Sequence, residues 1–569
     1  MSTPTPALVF EPDGYDLQGP RLMGRQSAGN AFLRAVVQGR GDASLTAVTP
    51  HRRSAEVFAH MVRSMDPQAP VQWAPPDRLD LLAASGLLYL PGPGLGDAAR
   101  LRLRAGPQAY SLSGVTHTTA SHGAMDAIRA LTTAPVMPWD ALVCTSRAVL
   151  STVQRVLDQE IDFLQWRLGC TRKPTLPALP VIPLGVHADD FAPSTARRQD
   201  ARRALAVAED EVVMLFVGRL SFHSKAHPHP MYAAAQAVAR QTGRRIVLLQ
   251  CGWFANESIE AAFRQAAEQT CPNVRCLFTD GQDADVRARA WAAADVFISL
   301  SDNIQETFGL TPIEAMAAGL PVVVTDWDGY KDTVEHGVHG FRVPTWMPGP
   351  GPGQAWALAH EAGTLNYDRY CGLACQTVSV DMDALVTCLR DLVEQPALRR
   401  RLGDAAQAHV RAQLDWTVVY RRYQSLWVEL DALRRDATVV RSAVSADPAR
   451  GVPRVDAARL DPGVSFQGYG THEIGPATRV TVREGWTWSA LRAVLQAPLF
   501  SYAITGEAAW AQHERLWSRL GQCPQSSAEV ADLVGPEPEA ARERAVAVIA
   551  QWAKAGAVSL QPPVAAPAP

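Results

Sequence analysis

The chain has 569 residues, which is enough for two or three domains. Its hydrophobic content of 47% and charged content of 20% are ordinary for a globular enzyme. A net charge of −3 gives no reason to expect bulk attraction to nucleic acid or to an anionic membrane.

Cysteine usage and the absence of a leader pattern predict a cellular compartment. The nine cysteines are odd in number and mostly scattered, which favours a reducing environment. No charged segment followed by an apolar core opens the chain, and no apolar run approaches about eighteen residues. We therefore predict no transmembrane segment and a cytoplasmic protein, with peripheral binding at the inner membrane surface left open.

The first region, residues 1–193, alternates apolar runs with helical patterns, as a Rossmann-like doubly wound domain does. Leu8-Val9-Phe10 is a short first strand, and a glycine-bearing segment from Gly19 to Gly29, which includes Gly24, leads into a helix. The backbone amides of such a loop can face a phosphate, although many loops carry glycines only for turn geometry. The segment lacks the strict G-x-G-x-x-G pattern, which counts against a nicotinamide enzyme.

A histidine follows a later strand of this region. The run from Tyr110 to Thr119 is strand-like and carries His117 near its end. His122 falls in the helical pattern that comes next. A structural histidine is the alternative interpretation of His117.

The second region, residues 194–415, is also predicted to be Rossmann-like. The strand Val212–Val217 runs into a loop that carries Arg219 and Lys225. Arginine suits bidentate phosphate contact, whereas lysine acts as a compact charge, so the pair predicts an anion site. A solvated loop is the alternative. Three histidines nearby lack carboxylate or cysteine company and are interpreted as loop residues: His223, His227 and His229.

Residues 294–344 read as a βαβ unit, whose ligand normally lies at the carboxyl ends of the strands. Asp295–Leu300 is a buried strand and Leu320–Thr325 the next one. Between them Thr311 is predicted to cap a helix, with Pro312 at its first position and Glu314 completing a capping box.

Glu306 and Glu314 bracket the start of this helix, with seven residues between them. Gly309 lies in the interval, where the backbone can approach a ligand closely. Free N–H groups of the first helical turn can hold phosphate oxygens, and the two carboxylates can accept hydrogen bonds from hydroxyl groups on either side. A sugar nucleotide presents both kinds of group, since its diphosphate lies between the hydroxyl groups of the sugar and those of the ribose.

The string E-TFGLTPI-E-AMAAGLPVV resembles the E-x7-E motif of the retaining GT-B glycosyltransferases of family four. The resemblance implies two Rossmann-like domains facing a cleft and transfer of a sugar, a hexose by preference, from a nucleoside-diphosphate sugar with retention. A UDP- or GDP-sugar would be the co-substrate, with no other cofactor, and the acceptor is unknown.

The resemblance also implies roles for individual residues. His117 would lie beside the reacting sugar, Glu306 would hold sugar hydroxyls and Glu314 the ribose. The implied contacts with the donor are Gly24, Arg219, Lys225, Glu306, Phe308, Gly309, Leu310, Thr311 and Glu314. The strings Asp283-Ala284-Asp285 and Asp326-Trp327-Asp328 match a metal-binding D-x-D motif, but no essential metal is expected because both fit other patterns.

The remaining segments follow in order. Residues 346–379 are Pro/Gly-rich at first and are either an active-site flap or a surface loop. A helix at 416–433 resembles the one that crosses back onto the first domain in GT-B enzymes. Residues 434–464 read as a linker, 465–561 as a small helical or winged-helix-like module, and 562–569 as a disordered tail.

The C-terminal module is neutral. Residues 431–569 contain 14 Lys+Arg and 14 Asp+Glu, so DNA binding has no basic footprint and a protein partner is the better hypothesis. Three alternatives to transfer stay open: a non-catalytic nucleotide-sugar-binding protein, a nucleic-acid-directed protein, and a GT-B epimerase or phosphorylase.

Overall fold

The computed structural model describes residues 5–16, 24–444 and 452–563. The predicted loop residues Gly19–Met23, part of the predicted linker and most of the predicted tail lie outside these ranges. The described residues up to Asp456 form one compact unit, and those from Ala457 form a second.

The first half of the larger unit is a six-stranded parallel sheet in the order β3-β2-β1-β4-β5-β6. This is the doubly wound order, with its topological switch between β1 and β4. The strands are β1 (Ala7–Val9), β2 (Leu45–Val48), β3 (Val71–Ala74), β4 (Leu87–Leu90), β5 (Ser111–Val115) and β6 (Ala141–Val143). The helices are α1 (Gly24–Gly39), α2 (Arg52–Met65), α3 (Leu79–Ser85), α4 (Leu95–Arg102), α5 (His122–Ala130) and α6 (Arg147–Leu168).

The second half repeats this topology in a six-stranded parallel sheet of order β12-β11-β10-β7-β8-β9. The strands are β7 (Val212–Val217), β8 (Ile246–Gly252), β9 (Arg275–Asp280), β10 (Val296–Ser299), β11 (Val322–Thr325) and β12 (Gly340–Val343). The helices are α7 (Thr195–Ala204), α8 (His229–Thr242), α9 (Glu257–Thr270), α10 (Ala284–Ala293), α11 (Leu310–Ala317) and α12 (Tyr330–Thr333). The prediction of two Rossmann-like domains in a GT-B arrangement is confirmed.

Helices and short strands complete this unit. They are β13 (Thr345–Trp346), α13 (Gln354–Glu361), α14 (Tyr367–Cys375), β14 (Ser379–Val380), α15 (Met382–Glu394), α16 (Pro396–His409), α17 (Trp416–Arg435) and α18 (Ala437–Val444). The limits given above for the individual domains stay predictions.

Helix α17 packs its aromatic face on the first sheet. Trp416, Tyr423 and Trp427 are buried in one core cluster with Phe32 of α1. Trp427 also donates from Nε1 to the hydroxyl of Ser113 on β5, at 3.1 Å. The helix that follows the second sheet therefore adds to the core of the first one.

The smaller unit is mostly helical, as predicted, and contains a three-stranded antiparallel sheet in the order β16-β15-β17. Its elements are α19 (Pro462–Ser465), β15 (Arg479–Val482), α20 (Trp488–Gln496), α21 (Pro498–Ser501), α22 (Glu507–Gly521), β16 (Ser527–Glu529), α23 (Val530–Val534), α24 (Glu539–Lys554) and β17 (Val558–Gln561). The run from α22 to β17 has the helix, strand, helix, helix, strand order of a winged helix. The central strand β15, however, comes from upstream.

A buried ion pair fixes the core of the first domain. Arg102 and Asp140 are both fully buried and meet through two bonds, of 2.6 and 2.7 Å. The Asp140 carboxylate also accepts from the backbone N–H groups of Leu112 and Met137, at 2.9 and 2.8 Å. Every oxygen of the buried carboxylate is thus satisfied.

We predict that Asp140→Ala lowers the free energy of unfolding of this domain by about 3–5 kcal/mol, because it leaves the Arg102 charge buried and unpaired. Urea denaturation followed by tryptophan fluorescence measures the effect. Asp80→Ala is the matched control, since Asp80 pairs with Arg78 on the exposed surface, and should leave the midpoint unchanged. Equal midpoints for Asp140→Ala and the wild type would contradict this account.

Candidate functional site

The carboxyl ends of β7 and β10 lie side by side, because these strands pair at the topological switch of the second sheet. The loop after β7 carries Lys225 and the loop after β10 carries Glu306. The Lys225 Nζ donates to the Glu306 Oε2 at 2.8 Å. Two residues that the sequence separates by 81 positions therefore meet at the edge where an α/β sheet normally binds its ligand.

The charge of Glu306 is supported by its neighbours. Burial alone would raise its pKa, but Lys225 and the backbone N–H groups of Thr307 and Phe308 outweigh burial and hold the pKa below its ordinary value. Glu306 is therefore an ionised acceptor at neutral pH.

Arg219 lies in the same loop as Lys225. It is partly buried and donates from Nη2 to the Ser224 carbonyl oxygen at 3.4 Å. Burial lowers its pKa, while the nearby Asp368 and Glu306 oppose the shift. Since an arginine stays protonated in proteins, the loop carries two cations beside Glu306.

Helix α11 begins at Leu310, and Gly309 is its N-cap with no side-chain cap hydrogen bond. The predicted capping box of Thr311 and Glu314 is therefore wrong. Gly309 adopts φ +83°, a left-handed conformation that turns the chain into the helix two residues earlier than predicted. The first-turn N–H groups of Leu310 and Thr311 consequently have no capping side chain.

Gly309 also satisfies a packing requirement. A Cβ atom at this position would lie 2.0 Å from the ring of Tyr330, which is buried and shares a hydrogen bond of 2.9 Å with Ser299. Any larger residue would displace this ring or the helix start.

Glu314 lies one turn into α11 and does not take part in capping this helix. Burial raises its pKa to about 7, and the positive charges of Arg287 and Lys225 only partly oppose this shift. The two glutamates of the motif thus differ in charge state near neutral pH, although the charge of Lys225 lowers the pKa of both.

The first domain contributes His117, two residues after β5. Its carbonyl oxygen accepts a hydrogen bond from the Thr307 hydroxyl at 3.0 Å, which joins the two domains beside Glu306. Burial, together with the charge of Arg25, lowers the pKa of His117 to about 4. The imidazole is neutral at physiological pH.

His122 has a different environment. It begins α5, as predicted, and its ring stacks on His360 of α13 with centroids 3.9 Å apart. The other stacking partner of His360 is Tyr370 of α14, at 4.6 Å. The segment 346–379 therefore forms two helices that reach the first domain through His122.

The same segment also packs on the loop that carries Lys225. Cys375 donates from Sγ to the buried Asp302 at 3.1 Å, and Asp302 accepts from the His227 N–H at 3.3 Å. Burial raises the pKa of Asp302 to about 7. Asn303 donates to the His223 carbonyl oxygen at 2.9 Å. These contacts, which the sequence patterns did not indicate, fix the course of the loop.

The structure therefore brings together most of the predicted site residues. The carboxyl ends of β5, β7 and β10 carry His117, Arg219, Lys225, Glu306 and the start of α11 with Glu314. Gly24 is the first residue of α1, and the loop residues before it lie outside the described ranges. The described residues hold no group of three or more His, Cys, Asp or Glu side chains arranged for a metal ion. Within the same ranges, no helix is both long and apolar enough to cross a membrane.

Residues 197–346 match the sequence model of the family Glycosyl transferases group 1. The D-inositol 3-phosphate glycosyltransferase of Geodermatophilus obscurus is 36% identical over 169 residues, which are 29% of this chain and 36% of that protein. The Corynebacterium urealyticum protein of the same name is 33% identical over 183 residues, 32% of this chain and 41% of that protein. The matched region thus spans about four tenths or less of these relatives.

Among solved structures, Anabaena Alr3699/HepE in complex with UDP has a TM-score of 0.47 at 17% identity, covering 72% of this chain and 98% of that chain. Sucrose-phosphate synthase from Thermosynechococcus elongatus has a TM-score of 0.48 at 17% identity, covering 75% and 98%.

We predict that Glu314→Gln stabilises the protein at pH 8 but not at pH 4.5. The folded pKa of about 7 lies above the ordinary value of 4.5, so the folded state binds its proton more tightly. That contribution to stability is present below pH 4.5 and is lost as the pH rises through 7. The neutral glutamine avoids the loss, which is on the order of 1 kcal/mol for a partly exposed group.

Chemical denaturation of both proteins at several pH values measures this difference. Glu268→Gln on the exposed face of α9 is the control and should show the wild-type pH profile. A Glu314→Gln profile parallel to that of the wild type would contradict the raised pKa of Glu314.

Proposed function

We propose that the protein is a retaining glycosyltransferase that moves a sugar, a hexose by preference, from a nucleoside-diphosphate sugar to an acceptor. One observation carries the proposal: two cations, the uncapped start of α11 and two glutamates meet at the topological switch of the second sheet. The match of residues 197–346 to Glycosyl transferases group 1 supports the same class.

The diphosphate would be held by Arg219, Lys225 and the N–H groups of Leu310 and Thr311. A nucleoside diphosphate leaves with its negative charge, so these donors stabilise the charge that develops during bond cleavage. Preorganised donors of this kind can contribute roughly 3 kcal/mol each to catalysis. Lys225 would exchange Glu306 for a phosphate oxygen when the donor binds.

The glutamates and His117 would bind the rest of the donor. Glu314, as the carboxylate, would accept from the ribose hydroxyls, and Glu306 from the sugar hydroxyls once Lys225 has moved. The backbone from Phe308 to Thr311 would line the diphosphate and sugar, and Gly24 would face the donor from the first domain. The neutral His117 would contact the sugar near C1, and no carboxylate nucleophile is required.

The proposal requires no divalent cation, because side chains and amides supply the positive charge. Cytoplasmic localisation, binding at the inner membrane surface and a protein partner for the smaller unit stay predictions. The acceptor is unknown, and a glycan, a lipid, a small molecule and a macromolecule all stay open. A sugar-nucleotide-binding protein without transfer would release no sugar from the bound donor, whereas an epimerase would form an isomeric donor and a phosphorylase a sugar phosphate.

A first prediction concerns the donor. Arg219→Ala and Lys225→Ala should each weaken nucleoside-diphosphate binding about tenfold to a hundredfold, because each removes a charged phosphate partner. Calorimetry with the best ligand from a thermal-shift screen of UDP-, GDP- and ADP-sugars measures this. Arg264→Ala, which removes a surface cation paired with Glu260, is the control and should bind normally. An unchanged affinity for the nucleoside diphosphate in both Arg219→Ala and Lys225→Ala would contradict the assignment of these residues to the diphosphate.

A second prediction separates the two histidines. His117→Ala should lower the rate of sugar release from the bound donor at least tenfold with little change in donor affinity, because the imidazole lies at the reacting end. His122→Ala, which removes the stack on His360 instead, should retain the rate. Release of the sugar is measured either in buffer, where water is the acceptor, or after addition of a cell extract that supplies other acceptors. The reverse pattern would show that His122 is the reacting-end residue.

A further inference from the structure

Asp328 is one of four non-glycine residues with a positive φ angle among those the structure describes, the others being Ala206, Gln525 and Ser526. It follows β11 and adopts φ +41°. Side chains are disfavoured in this left-handed region, and such strain persists mainly where neighbouring groups enforce it and where function requires it.

Neighbouring contacts enforce this conformation from two sides. Trp327, the preceding residue, donates from Nε1 to the Asn303 carbonyl oxygen in the loop after β10, at 3.1 Å. Asp332 of α12 accepts from the backbone N–H and the guanidinium of Arg147 in the first domain, at 2.7 and 3.0 Å. Contacts with the loop after β10 and with the first domain thus hold the turn that contains Asp328 from both sides.

The carboxyl group of Asp328 is only half satisfied. Its Oδ1 accepts from the hydroxyl of Ser146, the N-cap of α6, at 3.1 Å. Its Oδ2 is buried and has no hydrogen-bond partner within the described ranges. A buried carboxyl oxygen without a partner is costly, so a missing partner is the simplest physical explanation.

The position of this carboxyl group indicates what the partner is. Ser146 and His117 follow the adjacent strands β6 and β5 of the first domain. His117 is bonded to Thr307, the neighbour of Glu306. Gly329, the residue after Asp328, packs on the backbone of Phe308, since a Cβ atom at Gly329 would lie 2.5 Å from the Phe308 Cα. Asp328 is therefore close to the loop of Glu306, and burial, followed by the charge of Glu306, raises the pKa of Asp328 to about 8. Asp328 thus borders the same space as Glu306 and His117, beyond the diphosphate loop.

We propose that Asp328 binds a hydroxyl group of the transferred sugar through its Oδ2. The proposal rests on the function given above and adds a residue from the turn after β11 to the sugar site. Ser146 positions the carboxyl group from the first domain, so the contact forms only when the two domains are together.

The variant that tests this contact is Asp328→Gly. Glycine adopts φ +41° without strain, so this change removes the carboxyl group and should raise rather than lower the melting temperature. The dissociation constant for the NDP-sugar should rise about tenfold, as expected for losing one hydrogen bond to a polar carboxyl group. The dissociation constant for the free nucleoside diphosphate, which has no sugar, should stay unchanged.

Asp332→Asn is the matched control, because it weakens the neighbouring link between α12 and Arg147 and removes no proposed contact with the sugar. This variant should bind both ligands as the wild type does. If Asp328→Gly and Asp332→Asn weaken both ligands equally, Asp328 acts through domain contact and the proposal is overturned. It is also overturned if Asp328→Gly binds the NDP-sugar normally. If the wild type binds no nucleoside diphosphate at all, the proposed function itself fails, and this inference fails with it.

Discussion

The ion pair between Lys225 and Glu306 joins the two loops on which the candidate site depends. Its partners follow β7 and β10, which become neighbours only because the second sheet reverses its strand order between them. The lysine side chain is 38% exposed and the glutamate 12%, so the cation can be reached from solvent while its partner is mostly buried. A phosphate oxygen that takes the lysine leaves Glu306 without its cation, and a hydroxyl donor of the ligand would then have to satisfy this carboxylate.

The core of the first domain and the candidate site differ in how well their buried carboxyl groups are satisfied. In the core of the first domain, Arg102 and Asp140 are fully buried and paired, and both oxygens of the Asp140 carboxylate accept hydrogen bonds. Helix α17 buries four aromatic rings against the same domain. At the site, burial raises the pKa values of Glu314, Asp302 and Asp328 toward or above neutrality. A folded protein tolerates such unfavourable carboxyl groups when rigid elements hold them and a ligand compensates for them.

The local patterns predicted the sheets and the motif well, because both depend on short-range signals. Apolar runs such as Val212–Val217 are buried strands in the structure, and Glu306 lies beside the helix start as its spacing indicated. The capping box failed because a glycine with a positive φ angle can cap a helix without any side chain, and the sequence pattern did not distinguish it from Thr311.

These short-range patterns could not predict contacts between residues that are far apart in the sequence. Asp328 was considered only as part of a metal motif, since its link to Ser146 crosses 182 positions and its backbone strain has no sequence signature. The contact of Cys375 with Asp302 and the stack of His360 on His122 bring an irregular segment onto both domains. Pairings of this kind depend on the packing of the whole chain.

The central claim is that the start of α11 and the loop of Lys225 bind a diphosphate together. A crystal structure of the full chain with the nucleoside diphosphate that stabilises it most tests this directly. We expect phosphate oxygens about 3 Å from the N–H groups of Leu310 and Thr311, with Lys225 moved from Glu306 to the phosphate. A diphosphate bound elsewhere, with the Lys225–Glu306 pair intact, would contradict it.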